Sequence, residues 1–179
     1  MQEFSTLALV LEVKQTGEQD GRVILYTELL GKVAVRAKSL FAPNSKLAGH
    51  LQPLMLSRVR LVEKKGVQVV DALAEKAFIS AKTKPLVASE FINASRLINE
   101  MAQPFHPDAE LWDLIIRNRL VSAELLRVLG FDSAHASCNQ CQQAQPKHFL
   151  LRDMVYLCSK CFVGMYGSTH GTNLGVSVS

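Results

Sequence analysis

The residues best placed to do chemistry are four cysteines. Cys138-Asn139-Gln140-Cys141 and Cys158-Ser159-Lys160-Cys161 are two C-x2-C pairs separated by sixteen residues. Each pair predicts a tight knuckle whose two thiolates face one point. Two knuckles brought together give four sulfurs in a tetrahedron, the arrangement that suits Zn²⁺. Catalytic zinc keeps an open position with three protein ligands, whereas four thiolates close the shell, so the expected cofactor is a structural zinc. A redox pair is the competing chemistry, and His135 and His148 are read as surface histidines rather than ligands. The sequence between the pairs predicts the hairpin that would position them. Lys147-His148-Phe149-Leu150-Leu151 and Met154-Val155-Tyr156-Leu157 flank a turn at Arg152-Asp153.

The second chemical feature is charge. Lys32, Arg36, Lys38, Lys46, Arg58, Arg60, Lys64 and Lys65 face the single acid Glu63 over that stretch. The whole chain of 179 residues carries only +4, so the remainder is net negative. Cations segregated in this way predict a face for phosphates, with a merely solvated strand face as the alternative. Lys32, Arg36 and Lys38 share the parity of one strand and so project to one side. A single-strand groove also needs aromatics on which bases stack. Phe41, beside Pro43 and Asn44, is the better candidate, because Tyr26 reads equally well as core. No phosphate-binding Gly-Lys-Thr/Ser loop, nucleophile elbow or helical His/Glu metal pair is present in the sequence, so no catalytic residues are expected. Glu18 and Asp20 fall in a turn, where acids commonly bond backbone amides.

The elements that must carry these groups follow from periodicity. Residues 4–76 read as five short strands separated by turns, the pattern of a small closed sheet. The strand Lys32–Lys38 shows the clearest alternation, with Val33, Val35 and Ala37 opposite the charges. From about Lys84 the period becomes helical through Leu86, Val87, Phe91, Leu97, Ile98 and Met101, ending before Pro104. A second helix is expected from an Asp108 N-cap through Trp112, a core anchor, to Leu129, with Gly130 as its C-cap. The predicted architecture is mixed β and α: an N-terminal five-stranded OB-type barrel over 1–78, a helical region over 79–131, a four-cysteine zinc ribbon over 132–163 and a flexible tail over 164–179. Apolar runs are far shorter than the roughly 20 residues a bilayer core requires. Glu3 and Glu12 do not fit a signal peptide, so the expected location is a reducing cytoplasm.

Several of these residues together resemble one family. Gly17-Glu18-x-Asp20-x-Arg22, Tyr26-Thr27, Gly31-Lys32, Ala37-Lys38, Ser45-Lys46-Leu47 and Leu51-Gln52-Pro53 resemble the N-terminal barrel of the RecO family of DNA recombination-repair mediators. Leu125-Leu126-x-x-Leu129-Gly130-Phe131, running into Cys138-x-x-Cys141, resembles that family's last helix before its zinc ribbon. The resemblance implies a short, non-enzymatic, nucleoid-associated member. It implies binding to single- and double-stranded DNA, strand annealing, and work with RecR to load RecA on strands coated by single-strand-binding protein. Lys32, Arg36, Lys38 and Lys46 would then contact phosphates, with Arg58 and Arg60 on the same basic barrel. Where the family usually has Gly and a basic cluster, this chain has Ser39-Leu40-Phe41, which turns attention to Phe41 as a stacking residue. The alternatives at this level are a zinc-ribbon protein-interaction adaptor and an RNA-binding OB protein.

Overall fold

A computed structural model describes residues 2–167 and 175–177. The chain divides into two compact units, residues 1–118 and 119–179.

Five strands open the first unit: β1 (Gln2–Gln15), β2 (Gly21–Thr27), β3 (Gly31–Ala37), β4 (Met55–Glu63) and β5 (Val67–Ala77). They close into a barrel in the order β1-β2-β3-β5-β4, the Greek-key topology of an OB fold. Strand β1 is long enough to serve two neighbours, pairing with β4 through Gln2–Leu9 and with β2 through Ala8–Gln15. A register shift between Val10 and Glu12 provides the bend. Closure depends on a short parallel contact, Arg36 opposite Gln68 and Ala37 opposite Val69. Alternate residues supply the core, among them Val23 and Leu25 of β2, Val33 and Val35 of β3, and Val59 and Leu61 of β4. The loop after β3 plugs the barrel with Leu40 and Leu51, each 2 % exposed.

Helix α1 (Pro85–Met101) buries Phe91, Ala94, Leu97 and Ile98. Ser95 Oγ of α1 donates to the Leu11 carbonyl, and Phe91 meets Phe78 edge to face at 5.6 Å. Between α1 and α2 (Ala109–Ile116) the chain runs along the start of β3, where the Phe105 amide donates to the Lys32 carbonyl at 2.9 Å. This crossing dictates glycine at position 31. Gly31 has φ +65°, and a Cβ there would lie 2.3 Å from the His106 carbonyl oxygen. Gly31→Ala is therefore expected to cost at least ~2 kcal/mol, from left-handed strain plus overlap with backbone that cannot rotate away. Urea unfolding checks this, and a midpoint equal to that of the parent would contradict the close approach.

The single helix expected from Asp108 to Leu129 is two helices. Asp108 caps α2 as expected, accepting from the Leu111 amide at 2.9 Å. Asn118 then adopts φ +60° and stops the helix, since Asn enters the left-handed region more readily than other side chains. Helix α3 (Ser122–Val128) begins four residues later, in the second unit, and ends at Gly130 with φ +90°. Trp112 is half-buried and stacks on Tyr26 at 6.4 Å, while Tyr26 is fully buried and its hydroxyl accepts from the Asp108 amide. Tyr26 is thus a core residue.

The second unit also contains a 3-10 turn (Ser133–His135), the hairpin β6 (His148–Leu150) and β7 (Val155–Leu157), helix α4 (Ser159–Tyr166) and strand β8 (Gly175–Ser177). Strand β8 pairs antiparallel with β6. Of the tail expected to be flexible, residues 164–166 lie in α4 and 175–177 form β8; residues 168–174 and 178–179 lie outside the described residues. Among the described residues no helix is long and apolar enough to cross a membrane.

Candidate nucleic-acid interface and metal centre

On the barrel, the outward residues of β2 and β3 meet the β4–β5 turn around a groove of about 590 Å³. Arg22, Arg36, Lys38, Lys64 and Lys65 line it, together with Gln68 and backbone from Gly21 and Gly66. Arg22 and Arg36 stand opposite each other in the β2–β3 register, both on the solvent side. The turn brings Lys64 and Lys65 to them because β5 pairs with the end of β3 at Gln68. Arg22, Lys38, Lys64 and Lys65 make no ion pair with the described residues.

Asp20, next to Gly21 at the edge of this groove, is engaged on both carboxylate oxygens. Its Oδ2 accepts from Arg36 at 2.5 and 3.2 Å, and its Oδ1 accepts from the Ser39 amide at 2.9 Å. The Ser39 amide first, then the Arg36 guanidinium, hold the Asp20 carboxyl below its usual value of 3.8. A depressed folded pKa means the contribution of Asp20 to stability is complete above 3.8 and is lost as pH falls through the lower folded value. Asp20→Asn should flatten that part of the acid limb in a pH series of thermal melts. An unchanged acid limb would show that the clamp contributes nothing.

The seven residues expected to contact DNA are divided by the fold. Arg36 and Lys38 lie in the groove. Lys46 is exposed in the plug loop, outside the groove lining. Lys32 is half-buried, and its Nζ donates to the Asn99 carbonyl at 2.7 Å, in the last turn of α1. A cation there complements the negative end of the helix. Burial lowers the Lys32 pKa, opposed by nearby Glu100. Arg58 and Arg60 project from β4 and pair with Glu75 at 2.9 Å and Glu3 at 3.4 Å. Phe41 remains 43 % exposed, with its amide bonded to the Gln19 carbonyl. Arg22, Lys64 and Lys65 join the groove although the sequence expectation does not place them among the contacts. Register was the missing signal: from the Thr27–Gly31 turn, counting back along the hairpin places Arg22 opposite Arg36.

In the second unit the four cysteines converge. The Sγ atoms of Cys138, Cys141, Cys158 and Cys161 all lie within 4.8 Å of one another, and none forms a disulfide. A tetrahedral centre with metal–sulfur bonds of about 2.3 Å has edges of roughly 3.8 Å. Cys141 and Cys158 sit at 3.7 Å. The first knuckle is a turn in which the Gln142 amide donates to the Cys138 carbonyl; the second is the first turn of α4, where Cys158 Sγ accepts from the Cys161 amide. Burial pushes the Cys138 thiol up, but hydrogen bonds from the backbone of Cys158, Cys141 and Gln140 outweigh it and bring it down to about 6. Cys161, bonded to its Cys158 and Cys141 neighbours, is pushed up to about 12. Four thiolates at this spacing cannot share the site without a compensating cation, so the donor set fits a metal ion of the soft, tetrahedral kind. His148 is not among the clustered donors: its ring stacks on Phe162 at 4.3 Å and its Nε2 lies 3.2 Å from Ser159 Oγ. His135 is exposed.

The chain is therefore an OB-type barrel protein carrying a compact four-cysteine ribbon. Comparison with known proteins returns one family. Residues 1–75 match the family model described as recombination protein O, N terminal. The DNA repair protein RecO of Heliobacterium modesticaldum is 28% identical over 116 residues, covering 65% of this chain and 42% of that protein. That of Myxococcus xanthus is 30% identical over 119 residues, 64% and 48% respectively. That of Bacillus pumilus is 21% identical over 178 residues, 86% and 66%. The matched part of the chain thus spans about half the length of the first two relatives. The resemblance to the RecO family read from the sequence is borne out, and the match to that family's N-terminal model falls on the barrel.

Proposed function

We propose that this protein is a DNA-binding mediator of recombinational repair, without enzymatic activity of its own. In this reading it holds single- and double-stranded DNA by its backbone, anneals complementary strands and works with RecR. With that partner it helps place RecA on strands covered by single-strand-binding protein. The observation that carries the reading is the barrel groove, where five cations converge and Asp20 beside them is already committed to Arg36 and Ser39. Such a surface binds polyanions by releasing counterions, strongly in low salt and with little preference for sequence. Names of the relatives add DNA repair as the setting. The ribbon's metal is Zn²⁺, held by Cys138, Cys141, Cys158 and Cys161 in a structural role.

Titration with labelled single-stranded DNA, duplex DNA and single-stranded RNA, followed by a strand-annealing assay, tests the proposal. Salt-sensitive DNA binding together with faster annealing is expected. Failure to bind any of the three would favour the protein-interaction adaptor, and a strong preference for RNA would favour the RNA-binding protein.

A further inference from the structure

Next to the groove lies an apolar pocket of about 290 Å³ that the backbone-binding reading leaves unused. Val13, Phe41, Leu51 and Pro53 form its walls, with Gln52 contributing the amide side chain among its lining residues. Gln52 is exposed, and its carboxamide makes no hydrogen bond to the described residues. Gly21 lies between groove and pocket. That glycine borders the groove, and a Cβ added to it would lie 3.2 Å from the ring of Phe41. The Phe41 ring is 43 % exposed where an apolar side chain gains nothing from water.

We infer that this pocket takes an unpaired nucleobase from the strand whose phosphates lie in the groove. A base offers a flat apolar face to Phe41 and Pro53 and a polar edge to Gln52, which matches the lining. Nearness of the pocket to the cation-lined groove, with Gly21 of the groove lining set against Phe41, identifies the occupant: an apolar peptide side chain would fit the walls but has no use for the charge nearby. A paired base is stacked and cannot enter, so the pocket confers a preference for single strands that the cations alone do not supply. The inference rests on the groove reading and goes beyond it.

The experiment compares three fluorescently labelled probes of equal length at fixed salt: oligo-dT, an abasic strand with the same phosphates, and a duplex. The parent protein is expected to bind oligo-dT about tenfold more tightly than the abasic strand, the size of one good stacking contact. Phe41→Ala should erase that difference while leaving affinity for the abasic strand unchanged. Ala48→Leu, which fills the pocket from an exposed lining position and removes no contact, should do the same, with circular dichroism confirming the fold of both variants. Equal binding of oligo-dT and the abasic strand by the parent overturns the pocket and leaves the groove standing. Binding of neither strand overturns both.

Discussion

Removing the metal with a chelator, or replacing Cys158 with Ser, is expected to unfold residues 119–167 while the barrel stays folded. The apolar cluster around the knuckles consists of Leu150, Leu157 and Phe162 with Cys138 and Cys158 themselves, so the ligands are part of the core they hold together. A second group, Phe131, Phe149 and Tyr156, packs ring to ring at 4.9–5.2 Å, and the Tyr156 hydroxyl donates to the Phe131 carbonyl at 2.7 Å. Burial first, then Asp132, pushes the Tyr156 hydroxyl up to about 12. Segments of this size bury too little apolar surface to fold securely alone. Structural zinc contributes on the order of 10 kcal/mol in small modules, comparable with the whole stability of an ordinary domain. Loss of the metal therefore decides whether the ribbon folds. The sole tryptophan, Trp112, stands in the first unit against Tyr26 and reports on the barrel separately. Near-ultraviolet circular dichroism from the ribbon's Phe and Tyr rings should collapse on chelation while the Trp112 fluorescence melt holds its midpoint. A ribbon whose amide-exchange protection survives chelation would show that its apolar packing suffices without metal.

The ribbon was legible in sequence because its determinants are local. Two C-x2-C pairs and the residues flanking Arg152-Asp153 lie within one short stretch, and strands β6 and β7 appear inside the segments read as hairpin. The barrel strands were legible for the same reason, from alternation and turn residues. The break at Asn118 was not, since the apolar spacing runs on through Ile115 and Leu120 and a single Asn signals a helix end only weakly. Nor was the fate of the basic residues. Arg60 is neutralised by Glu3, 57 residues away, and Arg58 by Glu75, 17 residues away. Lys32 is captured by a helix carbonyl 67 residues distant. Composition counts charges along the chain, but barrel closure decides which of them share a face and which meet an acid.

That division makes a sharp quantitative expectation for DNA binding. Lys64→Ala/Lys65→Ala and Arg58→Ala/Arg60→Ala each remove two positive charges, so they change the net charge equally. If phosphates lie in the groove, only the first pair matters. Each neutralised phosphate contributes about 0.7 to the slope of log K against log salt for a single strand. The parent, with four cations free of acids and Arg36 shared with Asp20, should show a slope of roughly −3. Lys64→Ala/Lys65→Ala should reduce its magnitude by about 1.4, and Arg58→Ala/Arg60→Ala should leave it nearly unchanged. Between 50 and 200 mM salt the parent should lose affinity by roughly 60-fold, and the Lys64/Lys65 variant by roughly tenfold. Exposed pairs such as Arg58–Glu75 contribute little to stability, so the control variant should remain folded. Equal slopes for the two variants would mean that the strand senses only the overall field of the barrel. Contacts would then have to be sought outside the groove formed by β2, β3 and the β4–β5 turn.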